Sequence, residues 1–295
     1  MRITLGLSLL LFACGPTGRV NMGGGNNDMS VYTPPDFFGY QPPEAGSQNC
    51  GEAQGCYTVY AHSDHVLYRI DLTNKLLITI GNFNAPKISG AEDSITDLAV
   101  APDDTIYVIS KTNLYTASPT NAQVTLVSPV AACGGYAVAL TFTPDGSLYA
   151  GDHKGAFCSI DISSKPPRLN PLGNVGSGFG LAGDLVAVAD GTMYGTVYTI
   201  TDATSENNNT LVTIDPKSGA VIKTIGKTGF PRLFGVAYEN GQVFGFTGDG
   251  SGNVVTIDPK TGTGTLYNSF MDPATGKGIT FGGAGVNAKV PPMIM

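Results

Sequence analysis

Two short stretches hold every histidine of the chain, each within two residues of an aspartate: His62-Ser63-Asp64-His65 and Asp152-His153. Imidazole and carboxylate together suit a divalent cation or a small polar molecule. The stretches lie far apart in sequence, so a joint site requires the fold to bring them together. Left apart, each histidine reads as a solvated loop residue. Two further acids, Asp97 and Asp184, open the apolar runs DLAVA and DLVAVA. Nucleophilic chemistry has little to work with, because no Gly-x-Ser-x-Gly segment places a serine on a nucleophile elbow. Asp249-Gly-Ser251-Gly-Asn253 alternates oxygen ligands as a calcium loop does. It lacks the downstream bidentate glutamate and reads as a glycine-rich hairpin loop.

The elements that must position these residues repeat along the chain. DLAVAPDDTIYVIS (97–110), ALTFTPDGSLYAGD (139–152), DLVAVADGTMYGTV (184–197) and FGVAYENGQVFGF (234–246) each join two alternating strands through Asp-Asp, Asp-Gly or Asn-Gly. A third strand follows in every copy: LYTAS, FCSID, LVTID and VVTID, with LYRID (67–71) upstream. Turns such as PKSG and PKTG lead into a fourth strand, and four antiparallel strands make the blade of a β-propeller. Asp71, Asp161, Asp215 and Asp258 recur just before that turn. Their side chains there bond the amides ahead of them, which is a structural role. First strands begin near residues 95, 138, 183, 233 and 279, one blade length apart. The upstream unit lacks an innermost strand, whereas ITFGGAGV (279–286) lacks partners. Joining the two completes a fifth blade and removes both sheet edges. The expected fold is therefore all-β, a five-bladed propeller over residues 49–286, with six blades as the alternative and 287–295 as a tail.

Composition agrees with strands and tight turns, with 40 Gly, 19 Pro and no Trp. A net charge of −7 leaves no basic surface for nucleic acid. Residues 1–13 form a short apolar run after one Arg, too short for a membrane span and suited to a secretory signal. Leu11-Phe12-Ala13-Cys14 resembles the box recognised by bacterial lipoprotein signal peptidase. That resemblance implies cleavage before Cys14, acylation of its sulfur and, with Gly15 next, an outer-membrane lipoprotein of the cell envelope. Residues 14–48, rich in Gly, Asn and Pro, form a flexible tether with a reach of roughly 30–35 Å. In an exported chain the four other cysteines suggest two disulfides; Cys50–Cys56 and Cys133–Cys158 are favoured because each closes a local loop. No Cys-x-x-Cys spacing points to a metal.

The repeat pattern, LYxID followed by a Pro-x-Ser/Thr-Gly turn and DG-x-LY, is similar to the broad superfamily of gluconolactonase-like, NHL-repeat and quinoprotein-like propellers. Gluconolactonases hold a divalent metal on the central axis with Glu, Asn and Asp from innermost strands. The resemblance places Asp97, Ala139, Asp184, Phe234 and approximately Phe281 at those positions. Two carboxylates match, and the Glu and Asn ligands have no counterpart. The resulting expectation is a lipid-anchored, non-catalytic binding or scaffolding module. The alternative is a metal-dependent hydrolase built on the Asp97–Asp184 pair. The loop face carrying His62, Asp64, His65, Asp152 and His153 is where a cation, a small polar ligand or an envelope protein is expected to dock.

Overall fold

The computed structural model describes residues 57–130, 133–176 and 178–292. Cys14, the signal, the tether, Cys50 and Cys56 lie outside the described residues.

Five four-stranded antiparallel sheets form a closed ring. Blade 1 runs outward as Gly283–Gly285, Val59–His62, Val66–Asp71 and Leu76–Asn82. Blade 2 is Ile95–Val100, Ile106–Ser110, Asn113–Ala117 and Val124–Pro129. Blade 3 is Ala137–Phe142, Leu148–Asp152, Ala156–Asp161 and Arg168–Asn174. Blade 4 is Phe179–Ala187, Met193–Thr199, Thr210–Ile214 and Val221–Lys227. Blade 5 is Leu233–Glu239, Gln242–Thr247, Asn253–Ile257 and Gly264–Ser269. A single 3-10 turn, Ala203–Asn207, interrupts the β-structure among the described residues.

Burial grades outward along each blade. Innermost strands are buried on both faces, which is why ITDLAV and AVALTF read as nearly continuous apolar runs. Fourth strands are half solvated and carry the exposed Leu76, Leu126, Ile222 and Leu266. The bends use the expected aspartate chemistry. Asp145 Oδ1 accepts the Ser147 N–H at 3.1 Å and Asp190 Oδ1 accepts that of Thr192 at 2.8 Å. In the second type of bend, Asp215 and Asp258 accept the Lys217 and Lys260 amides at 3.0 and 2.7 Å. Asp249 likewise accepts the Ser251 amide, as a hairpin loop requires.

The ring closes where the two ends of the propeller meet. Tyr60, Ala61 and His62 pair with Gly285, Ala284 and Gly283. Beyond the expected end at 286, residues 287–290 remain packed. Asn287 forms a parallel bridge with Val100 and donates to Asp104 Oδ1 at 2.7 Å. Val290 O accepts the Ala189 N–H at 2.9 Å, so this segment reaches from a bend of blade 2 to a bend of blade 4. Cys133 and Cys158 form a disulfide with Cα atoms 5.6 Å apart, tying the entry of blade 3 to its third strand.

Candidate functional site

The innermost strands of blades 2 to 5 each enter with a β-bulge: Ile95/Asp97, Ala137/Ala139, Leu181/Leu185 and Leu233/Gly235. A bulge frees an amide from the ladder and re-aims its neighbours. Asp97 and Asp184 are re-aimed in this way, and both are fully buried. Asp97 Oδ1 accepts the Leu98 N–H at 2.8 Å, and Oδ2 accepts that of Leu140 at 2.6 Å. Asp184 Oδ1 accepts Leu185 N–H at 2.6 Å, while Oδ2 accepts Val236 and Ala284 at 3.0 and 3.3 Å. Those five amides come one from each blade, so two carboxylates join the innermost strands of the whole ring.

Burial raises both carboxyls well above the ordinary range, and repulsion from Asp184 adds to the effect on Asp97. Each carboxyl therefore holds its proton to a higher pH than an ordinary aspartate does. The positions equivalent to Asp97 and Asp184 are Ala139, Gly235 and Gly283, whose next amides are those of Leu140, Val236 and Ala284. This corrects the assignment of Phe234 and Phe281: the blade 5 bend is one residue shorter than those of blades 2 to 4, and in blade 1 it is Gly283 that lies opposite His62. Only a very small residue fits at 283. A Cβ there would lie 2.2 Å from Asp97 Oδ1 and 2.6 Å from His62 Nε2.

This donor set does not fit a divalent cation. Five amide hydrogens already point at the carboxylate oxygens, and a cation there would face positive dipoles. No cluster of three or more metal-ligating side chains exists among the described residues.

His62 departs from the expected solvated loop residue. It ends strand Val59–His62, is fully buried and sits behind Gly282 and Gly283. Its Nδ1 lies 2.8 Å from Ser63 O, and Nε2 has no hydrogen-bond partner. Burial pulls its pKa down to about 4. The other candidates separate. Asp152 is buried and caps its own turn, accepting the Lys154 and Ala156 amides at 2.9 and 2.8 Å. His65 stands exposed on the rim, 3.5 Å from Glu92.

Asp64 and His153 do share a site, a cavity of about 520 Å³ at the mouth of the channel, on the face of variable loops. All five blades line it. His153 stacks on Tyr136 with ring centroids 4.5 Å apart, and Lys111 Nζ lies 5.5 Å from the centre of the Tyr136 ring. Tyr198 donates its hydroxyl to His153 O at 2.8 Å. Phe234 adds an aromatic wall, while Glu206 and Arg232 add charge. Buried Asn209 holds the blade 4–5 seam, its Oδ1 accepting the Leu233 N–H at 2.7 Å. Glu206 belongs to the 3-10 turn Ala203–Asn207. Lys111, Arg232 and the three aromatics carry no motif, and only the ring brings them together.

No protein-family model matches the chain, and no curated protein matches it. Among solved structures it is similar to a chain of a nidogen/laminin complex, with TM-score 0.50 and 13% identity over 80% of this chain and 100% of that one. It is also similar to a protein from work on the de novo evolutionary emergence of a symmetrical protein, with TM-score 0.43 and 15% identity over 81% and 100%. A third similar structure is a protein of unknown function from Bacteroides caccae, with TM-score 0.40 and 10% identity over 79% and 99%. At such identities the likeness to the nidogen/laminin chain bears on the fold alone. The count of five blades is read from the five sheets of this chain.

Proposed function

We propose that this protein is a non-catalytic binding module of the bacterial cell envelope, anchored through acylated Cys14 and taking a small polar ligand in the channel mouth. One observation carries the binding role: all five blades contribute to a cavity of about 520 Å³, a size suited to a small molecule. Its walls combine aromatic surface with charged groups, the usual make-up of a ligand seat. The absence of catalysis is supported by the axial acids, whose oxygens are buried and occupied by backbone amides. The anchor is supported by Leu11-Phe12-Ala13-Cys14 and the tether behind it. Kinship with gluconolactonase-like and NHL-repeat propellers belongs to the same reading and rests on the LYxID and DG-x-LY repeats.

Thermal melts against a hexose, a hexuronate, an α-amino acid and a nucleoside test the seat. A compound that raises the melting temperature of the parent, but not of Tyr136→Ala/Phe234→Ala, supports the cavity as the binding site. No shift by any compound, or an equal shift in the variant, overturns it. Mass spectrometry of the N-terminal peptide tests the anchor, and an unmodified Cys14 refutes it.

A further inference from the structure

Four charged side chains line the cavity from four different blades: Asp64 of blade 1, Lys111 of blade 2, Glu206 of blade 4 and Arg232 of blade 5. Read around the ring, their signs alternate, and blade 3 fills its place with the Tyr136–His153 stack. None of the four forms an ion pair or a side-chain hydrogen bond among the described residues. Each is exposed and available.

From this order we infer that the cavity takes a small zwitterion carrying a ring, an aromatic α-amino acid whose ammonium and carboxylate sit on one carbon. The inference rests on the binding role proposed above and gives it a ligand class. An uncharged sugar filling the cavity would strip water from four charges and pair none of them, which is costly. A simple anion would meet Arg232 or Lys111 with an acid on the adjacent blade. A zwitterion meets opposite charges on adjacent blades, and Glu206 with Arg232 is the best-built pair. The Arg232 N–H donates to the Glu206 carbonyl at 3.0 Å, so both side chains spring from bonded backbones. The Arg232 carbonyl is fixed in turn by the Phe234 and Gly248 amides at 2.9 and 2.8 Å. The guanidinium fork suits a carboxylate, and Glu206 suits the ammonium beside it. Tyr136, Tyr198 and Phe234 then offer faces and edges to the ring.

Calorimetric titration with L-phenylalanine, N-acetyl-L-phenylalanine, L-phenylalaninamide and D-glucose tests the assignment. Free L-phenylalanine should bind, and each blocked form should bind roughly 10–100-fold more weakly, as for the loss of a hydrogen-bonded charged partner. Arg232→Gln should weaken L-phenylalanine by a similar factor and leave L-phenylalaninamide unchanged. Glu206→Gln should do the same for L-phenylalanine and leave the N-acetyl form unchanged. Blocked forms that bind as tightly as the free amino acid overturn the zwitterion. So does glucose binding that is lost in Tyr136→Ala/Phe234→Ala while L-phenylalanine fails; that outcome leaves the binding role standing. Failure of every compound here and in the wider panel removes both.

Discussion

A carboxylate at the centre of an all-β core is tolerable only with its hydrogen bonds made and its charge limited. Asp97 and Asp184 satisfy both conditions, through five backbone amides and pKa values raised by burial. Their raised pKa values mean that the native state binds a proton the unfolded chain releases. The contribution of the pair is therefore complete below about pH 4 and declines as pH rises through the native titration. Asp97→Asn keeps a donor toward Asp184 but leaves the Leu98 or Leu140 N–H without an acceptor. Near pH 4 the variant should be less stable by about 1–3 kcal/mol, and the gap should narrow as pH rises through the native titration. Urea melts of parent and variant across that range give the comparison, and a constant gap would show that the pair does not titrate with folding. His62 acts in the opposite sense. With its pKa lowered from 6.5 to about 4, its contribution is intact above pH 6.5 and is lost as pH falls toward 4. That loss amounts to roughly 3 kcal/mol. His62→Leu should flatten this acid limb, and near pH 7.5 it should cost about 0.5–1.5 kcal/mol for the lost Nδ1 hydrogen bond to Ser63 O.

At the scale of strands, the axis dictates where side chains are forbidden. Gly283→Ala would drive a Cβ into Asp97 and His62 together, at 2.2 and 2.6 Å, inside a sheet with nowhere to shift. A loss of at least about 1–3 kcal/mol is expected, read from thermal melts. The hairpins were legible in the sequence because Asp-Gly and Asn-Gly bends are local signals. The closing strand was legible because one end of the repeat lacked what the other had to spare. The axial register was not. Aligning the repeats on their bends leads to Phe234, whereas the Asn240-Gly241 bend is one residue shorter than the others and Gly235 takes the inward position. His62 was misplaced for a related reason, since HSDH reads as a polar loop although its first residue still belongs to the strand. The cavity was only partly legible. Asp64 and His153 stood in recognisable loops, but Lys111 and Arg232 come together only through the order of blades.

At the scale of the whole molecule, stability depends on two ties, one within blade 3 and one across the ring. The Cys133–Cys158 disulfide links residues 25 apart. Cys133→Ala/Cys158→Ala should cost about 3–4 kcal/mol by the chain-entropy estimate, measured as the shift in urea midpoint. The second tie is the C-terminal segment. Truncation after residue 278 removes the ladder to Val59–His62, the buried Phe281 and Val290, and the Ala284 amide that Asp184 accepts. Such a protein should have no cooperative melt, whereas truncation after residue 292 should melt as the full chain does.

The arrangement of blade 1 also sets a timetable. A ribosome releases Val59–His62 early and Gly283–Gly285 almost last, so the inner edge of that sheet stays bare while nearly everything between is made. Blades 2 to 5 can form in turn as an open arc, but neither the Asp184 contact to Ala284 nor the segment beneath the bends exists until the final residues emerge. Nascent chains stalled before residue 283 should therefore be cut readily by protease. Chains stalled far enough past residue 290 for it to clear the exit tunnel should resist, with the largest gain on release of residues 283–290.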